Sequence, residues 1–258
     1  MAGADAADGM VDLFGLLAYA ELVAFLRLSS DAALAPSLED RAALGGMAVA
    51  EFAHFRVLHG ELGRMGAVPE QAMQPFVEPL DEFHARTAPS DWLESLVKAY
   101  VGDGIAADFY RAVAELLDPQ AQALVMEVLA DTGHAGFVIS RVRAAVEADQ
   151  VVAGRLALWA RRLVGEALAQ AHRVVAERPP LAMLFAGAIS EREQSGQGEI
   201  GRMFARLTDA HDQRMAELGL AQWPARMRAK TRGNSLSVGF GGLSAIARRT
   251  VNFLNTGP

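Results

Sequence analysis

The balance between helix-forming and strand-forming residues constrains the fold more than any other feature of this sequence. The 258-residue chain contains 49 alanines but only 5 isoleucines, 6 threonines and 3 tyrosines. Alanine has the highest helix propensity, whereas β-branched and aromatic residues are the ones enriched in strands. Apolar residues make up 52% of the chain, which is enough for a hydrophobic core. We therefore expect a mostly or wholly α-helical globular fold.

Hydrophobic periodicity divides the chain into six predicted helices. Apolar residues recur at helical spacing over about residues 8–28, 38–65, 91–117, 119–148, 151–177 and 199–218. Residues 66–90 contain four prolines and are expected to support only short helical pieces: Pro69, Pro75, Pro79 and Pro89. Two closely joined helix pairs separated by such a crossover are typical of a four-helix bundle with one long crossover.

Capping signals and composition set the predicted boundaries. The second, third and fourth helices are expected to begin at Ser37, at Ser90 or Asp91, and at Asp118. We predict one helical domain over residues 1–225, in which about 8–148 form the bundle and about 151–218 form two further helices. Residues 226–258, rich in Gly, Ser and Arg, are predicted to form an irregular basic tail.

Each helix of the predicted bundle carries a carboxylate at a position where its apolar face requires a hydrophobic residue. These acids are Glu21, Glu51, Asp103 and Asp131. The second and fourth helices add a histidine three residues later, His54 and His134, on the same helix face as the preceding acid. Several buried carboxylates are costly unless cations or protons neutralise them. The pattern therefore favours a pair of metal ions bound between the helices.

The two halves of this pattern repeat. The two acids of the first half are 30 residues apart, those of the second half are 28 apart, and each half has the order carboxylate, turn, carboxylate-x-x-His. A third acid-x-x-His pair, Asp81 and His84, lies in the proline-rich crossover without a partner helix. We interpret that third pair as a chance occurrence.

In this order of residues the sequence resembles the ferritin-like di-metal carboxylate superfamily, whose helices carry Glu, Glu-x-x-His, Glu and Glu-x-x-His. The chain length, the letters ADFY after Asp103 and the helices after the bundle resemble, within it, the 2-methylthio-isopentenyl-adenosine tRNA hydroxylase group. The resemblance implies two iron ions, or manganese, with Glu51 and Asp103 or their equivalents bridging them. The six implied ligands are Glu21, Glu51, His54, Asp103, Asp131 and His134.

Two positions depart from the pattern of the superfamily. Positions 103 and 131 hold Asp where the superfamily usually holds Glu, and the shorter side chain requires the backbones to approach more closely or a water to intervene. Gly102, Gly104 and Gly133 flank these positions and permit closer helix approach, because glycine has no side chain. The same glycines also fit a former site that has lost its metal.

Other residues are weaker candidates. Glu127 is an alternative ligand one turn before Asp131, but a solvent-facing position is the favoured interpretation. Tyr100 is a candidate redox-active phenol, but a core tyrosine with a satisfied hydroxyl is favoured. The glycines of GFGG near residue 240 follow no predicted strand and indicate no dinucleotide site. The remaining histidines are interpreted as surface or interhelical residues: His59, His172 and His211.

Charge is distributed unevenly along the chain. Residues 1–150 hold 9 Lys/Arg against 23 Asp/Glu, whereas residues 151–258 hold 15 against 8. The stretch 226–258 has six basic residues and no acid, so it is either a solvated tail or a contact for a membrane or a nucleic acid, which the hydroxylase resemblance implies is tRNA. The solvated tail is favoured, because a chain with a net charge of −7 repels a phosphate backbone.

Absent signals narrow the expected location and chemistry. The chain has no cysteine, which excludes disulfides, thiolate metal sites and thiol catalysis. The acidic start lacks the basic residues of a secretory signal. The longest uninterrupted apolar run is about nine residues, and a membrane span requires roughly 20. We therefore expect a cytoplasmic protein that does not span a membrane.

Three classes of function fit these observations. The first is an O2-dependent di-iron hydroxylase, which needs an electron donor and, if the narrower resemblance holds, modifies tRNA. The second is an iron-oxidising or peroxide-removing ferritin-like protein, although the additional C-terminal residues argue against a cage. The third is a ferritin-like scaffold that has lost full metal binding and acts through partners. The two C-terminal helices are assigned no single role: they cap the bundle, form a homodimer or hold a substrate.

Overall fold

The computed structural model describes residues 2–115, 117–129, 135–184 and 198–221, with side chains described over 7–115, 117–129, 135–184 and 206–221. No β-strand occurs in this part of the chain, and the all-α prediction is confirmed. The helices include α1 (Ala2–Asp31), α2 (Leu38–Arg64), α3 (Pro69–Arg86), α4 (Trp92–Val97), α5 (Asp103–Ala114), α6 (Pro119–Val128), α7 (Ala135–Ala148), α8 (Gln150–Glu177) and α9 (Gly198–Glu217), and residues 179–184 are also helical. A 3-10 turn (Ala32–Leu34) follows α1, and a π-helical segment (Lys98–Gly102) joins α4 to α5.

The predicted helix starts are formed by side-chain caps. The Ser37 hydroxyl accepts a hydrogen bond from the backbone N–H of Asp40 at 3.1 Å. Asp91, rather than Ser90, caps α4 by accepting from the Glu94 N–H at 2.9 Å. Asp118 caps α6 by accepting from two backbone N–H groups. These contacts satisfy donors that an uncapped helix start leaves without partners.

Replacing Ser37 with alanine is expected to lower the free energy of unfolding by about 1 kcal/mol, because the Asp40 N–H loses its acceptor at the start of α2. Urea unfolding monitored by circular dichroism measures this change. The matched control is Ser29→Ala, at an exposed position in α1, for which no loss is expected. Equal losses in both variants would contradict the cap.

The crossover after α2 differs from the sequence-based expectation. Residues expected to support only short helical pieces form α3, an 18-residue helix with Pro69 in its first turn and Pro75 and Pro79 in its interior. An interior proline costs a helix about 3 kcal/mol. Burial of Phe76 and Met73 offsets this cost, since full burial of one such side chain contributes about 1.5–3 kcal/mol. Packing of α3 on α1 therefore overrides the local signal.

Two other predicted helices are interrupted. The third is divided by the π-helical segment into α4 and α5. The fourth is broken at Leu129, which adopts a turn after the last residue of α6. The Arg111 guanidinium donates a hydrogen bond of 2.7 Å to the Leu129 carbonyl that this break leaves outside the helix. The predicted tail over 226–258 lies outside the described residues.

The core consists of two hydrophobic clusters stacked along the bundle. Cluster A contains the C-terminal half of α1 and the N-terminal half of α2, through residues such as Leu28, Leu44, Leu96, Val142 and Leu156. Cluster B contains the opposite halves of the same two helices, through residues such as Phe14, Leu58, Phe76, Val125 and Val174. The polar residues in the middle of α1 and α2 therefore lie between the two clusters.

The last two helices pack on the bundle at different places. α8 runs past both clusters, contributing Leu163 to cluster A and Val174 to cluster B. The buried Trp159 of α8 donates a hydrogen bond of 2.9 Å to the Glu94 carbonyl. α9 packs against α5 and the π-helical segment. Among the roles left open for these helices, the structure shows α8 covering the bundle.

One stretch, Ala7–Leu34, is long and apolar enough to cross a membrane by length and composition alone. Half of its most apolar window is buried inside the fold. Its residues Leu13, Phe14 and Leu17 belong to cluster B. A single helix of this kind near the N-terminus is weak support for a span, because the core helix of a water-soluble protein passes the same test.

Candidate metal centre

The middles of α1 and α2 bring three of the predicted ligands together. Glu21 comes from α1, while Glu51 and His54 share one face of α2 because they are three residues apart. The His54 Nδ1 atom lies 3.4 Å from Glu21 Oε2 and 3.6 Å from Glu51 Oε2. One ligand atom from each residue falls within 4.8 Å of the other two, which is close enough for a single metal ion. We call these three residues the polar layer.

The polar layer concentrates two carboxylates whose negative charge must be balanced by protons or by a cation. Burial raises the pKa of Glu21 well above its ordinary value, and repulsion from Glu51 adds to this effect while His54 opposes it. The nearby carboxylates of Glu21 and Glu51 favour the charged form of His54 and raise its pKa to about 10. Glu21 Oε2 is buried and has no well-formed hydrogen bond, since its contact with His54 is long. A buried acceptor of this kind costs free energy until a cation or proton binds it.

A cavity of about 360 Å³ opens beside the polar layer. Much of its wall is made of small side chains: Ala20, Ala24, Ala99, Gly104, Ala106, Ala107 and Ala135. Tyr110 also lines it, and burial together with the charge of Glu21 raises the pKa of the Tyr110 hydroxyl. The cavity therefore combines a charged end at the polar layer with an apolar wall.

Asp103, the fourth predicted ligand, lines the same cavity. Its side chain is exposed, yet the protein atoms around its carboxyl raise the pKa of this group well above the ordinary value. The charge of Glu51 raises this pKa further, and Lys98 opposes the rise. Asp103 and Glu51 line one cavity, but Asp103 is not part of the group of three residues whose ligand atoms lie within 4.8 Å of one another.

The π-helical segment before Asp103 sets which residues of this helix line the cavity. A π-turn inserts one residue relative to an α-helix and rotates the face that follows, and such turns are frequent at functional sites. Ala99 and Tyr100 of the segment line the cavity together with Asp103. The regular 3.6-residue spacing of the sequence contains no signal for this insertion.

Gly104 has a different role from the one predicted for it. A Cβ atom at position 104 would lie 2.4 Å from Nε of Arg214, so glycine leaves the space that this arginine from α9 occupies. At Gly102 the nearest atom to such a Cβ would be Lys98 Cγ at 3.9 Å, an ordinary contact. Sequence reasoning missed Arg214, because it lies outside the bundle and has no motif. Gly133 lies outside the described residues.

The remaining predicted ligands, Asp131 and His134, lie within 130–134, outside the described residues. Leu129 and Ala135, which flank this stretch, both line the cavity. Glu127 is exposed, in agreement with the solvent-facing interpretation. The structure brings four of the six predicted ligands to one cavity. The full set of six ligands, with its two bridging carboxylates, remains a prediction.

The weaker candidates lie elsewhere or are satisfied. The Tyr100 hydroxyl donates a hydrogen bond to Glu217, as expected for a core tyrosine. Asp81 accepts a hydrogen bond of 2.9 Å from Tyr19, and no metal-binding group of the described residues includes Asp81 or His84. His59 pairs with Glu70 at 3.1 Å.

A comparison with protein families places this chain beside a known family. The model of a family described as a ferritin-like domain of actinomycetes matches residues 5–188. The chain belongs to this family. The ferritin-like match spans nearly all of α1 and the whole of α2 to α8, and α9 lies beyond it. Comparison with curated proteins gives no match.

The residues of this ferritin-like domain fit a metal ion. The polar layer offers two carboxylates and an imidazole, a donor set that suits iron and manganese. The buried Glu21 oxygen lacks a partner that a metal ion would supply.

Proposed function

We propose that this ferritin-like protein binds two iron ions at the polar layer and Asp103 and hydroxylates a small organic molecule in the adjacent cavity. The observation that carries the proposal is the cavity itself, because it borders the polar layer directly. Its volume of about 360 Å³ falls within the range of roughly 300–1,000 Å³ typical of small-molecule pockets. An iron store has no need of an alanine-lined cavity for an organic molecule beside its metal ligands.

Different side chains would bind the metal ions and the substrate. Glu21, Glu51 and His54 would hold one ion, with Glu51 and Asp103 reaching toward a second. Asp131 and His134 would complete the second half, as the repeated sequence pattern predicts; Leu129 and Ala135 at the cavity wall support this assignment. The alanine wall would hold the apolar part of the substrate and exclude water from it.

The reaction needs components that these side chains do not provide. When bound, a pair of iron ions supplies the activation of dioxygen. One oxygen atom of O2 enters a substrate C–H bond as C–OH, and the other leaves as water. The water takes up two protons from solvent and two electrons from an external electron-transfer protein. The narrower prediction of a tRNA substrate rests on the basic residues of 226–258 and on the resemblance to the tRNA hydroxylase group.

Iron content per chain tests this proposal. Protein purified from iron-supplemented cells is expected to contain close to two iron ions per chain, and His54→Ala combined with His134→Ala is expected to lose them. His59→Ala is the matched control, because His59 lies on the same helix as His54 but pairs with Glu70 away from the cavity. Zero or one metal ion per chain, unchanged by the double substitution, would overturn the hydroxylase and favour the scaffold.

A further inference from the structure

Two buried polar atoms without partners belong to residues of the same cavity. Among the described residues, five buried side-chain nitrogen or oxygen atoms lack a hydrogen-bond partner. Glu21 Oε2 is one of them, at the polar layer, and Arg214 Nη1 of α9 is another. The first is an acceptor that a cation or a proton would satisfy, whereas the second is a charged donor that an acceptor would satisfy. Both atoms are buried, and the residues that carry them line the cavity.

Hydrogen bonds fix the side chain of Arg214 in one orientation. Arg214 Nη2 donates to the Gly104 carbonyl at 2.9 Å and to the Asp108 carboxylate. Its side chain is only 12% exposed, and its pairing with Asp108 is what such burial of an arginine requires. The absence of a side chain at Gly104 creates the space for its guanidinium. These contacts fix the orientation of the guanidinium while leaving Nη1 without an acceptor.

A second arginine strengthens the positive character of this wall. Arg111 also lines the cavity and pairs with Asp108 at 3.1 Å. The carboxylates that balance the two arginines, Asp108 and Glu217, are not lining residues. The two arginines therefore line the cavity, whereas the carboxylates that pair with them do not. Because these charges are partly balanced and the polar layer is acidic, the wall suits a single negative charge better than a dianionic phosphate.

We infer that α9 gives this cavity an anion-binding wall through Arg214 and Arg111, and that the cavity takes a small organic monocarboxylate. The carboxylate binds at Arg214, and the apolar body lies along the alanine wall toward the polar layer. A monocarboxylate would be the substrate class of the proposed hydroxylase. Binding of the carboxylate does not depend on that proposed function; only its hydroxylation does. It also gives α9, which lies outside the ferritin-like match, a role in substrate selection.

Calorimetric titration of the full-length protein, both iron-loaded and chelator-treated, tests the inference with hexanoate, its neutral analogue hexanamide, and inorganic phosphate. Hexanoate is expected to bind about tenfold or more tightly than hexanamide, since a buried guanidinium discriminates strongly for charge. Arg214→Gln is expected to remove this preference. Arg206→Gln is the matched control, because Arg206 lies on the same helix but is 60% exposed and pairs with Glu115.

A second pair of variants tests the geometry without altering an arginine. Gly104→Ala is expected to weaken hexanoate binding about tenfold, because the added Cβ takes the space of the Arg214 guanidinium. Gly102→Ala is the matched control with only an ordinary contact, and it is expected to leave binding unchanged. This pair keeps the inference testable if Arg214→Gln fails to fold.

Several outcomes would overturn the inference. These are no binding of hexanoate, equal binding of acid and amide, tighter binding of phosphate than of hexanoate, or a preference for the acid that persists in Arg214→Gln. The last outcome would show that bound metal, rather than Arg214, captures the carboxylate. Iron content of the same samples separates the two proposals. A protein that contains two iron ions per chain but shows no preference for the carboxylate overturns this inference alone. A protein that prefers the carboxylate but contains no iron overturns the hydroxylase alone.

Discussion

Mn²⁺ at 1,000 times its dissociation constant is expected to raise the free energy of unfolding of the metal-free protein by about 4 kcal/mol. The physical reason is that the folded chain brings Glu21, Glu51 and His54 within reach of one ion, while the unfolded chain does not. Manganese is the appropriate probe, since it takes the same donor set as iron and does not oxidise as readily. Thermal unfolding at increasing Mn²⁺ concentration measures the effect.

Glu21→Gln separates loss of metal from loss of fold. The variant keeps the shape of the side chain but removes a buried carboxylate, so Mn²⁺ is expected to stabilise it far less. Without metal it is expected to be at least as stable as the wild-type protein, because burial already makes the charged form of Glu21 costly. Glu39→Gln, on α2 but 82% exposed, is the matched control and should retain the full Mn²⁺ effect. Equal stabilisation of all three proteins would contradict the site.

Gly15→Ala is expected to lower the free energy of unfolding by about 3 kcal/mol, toward the upper end of overpacking costs. A Cβ atom at position 15 would lie 2.3 Å from the backbone oxygen of Ala72, so α1 and α3 would have to separate. A flexible side chain could move away from such a contact, but helix backbone cannot. Urea unfolding measures the change.

Gly46→Ala is the control for this effect. Gly46 is an exposed position in α2, and an added Cβ there would meet no atom within 4 Å. Alanine is better than glycine in a helix interior, so this variant is expected to be about 1 kcal/mol more stable than the wild-type protein. A loss of stability at both positions would show that close approach of α1 and α3 is not the cause.

The helices were largely predictable because helix formation depends on residues within a few positions of one another. Ser37 and Asp118 start their helices as their sequence context predicts, and α8 and α9 lie within a residue of their expected bounds. The interior of α3 was not predictable in this way. Its prolines are locally unfavourable, and only burial of its apolar face on the bundle makes a continuous helix stable.

Part of the candidate site was also predictable. Glu51 and His54 share a helix face by their spacing alone, and the charged residue on the apolar face of α1 identified Glu21. No local sequence pattern indicates the π-helical segment before Asp103 or the position of Arg214 at the cavity. Arg111 was equally inconspicuous, since an arginine in a helix is ordinary until its contacts with Asp108 and Leu129 are seen.

Local sequence accounts for the all-α class, for the helix starts and for the spacing that places an acid and a histidine on one face. These properties follow from helix propensity, capping and periodicity, which act over at most one or two turns. Which helix faces meet follows instead from the packing of the whole chain, as when Arg214 donates to the carbonyl of Gly104, 110 residues earlier in the chain. Contacts of this range depend on how whole helices pack, and packing is set by the sum of many side-chain volumes rather than by any local pattern.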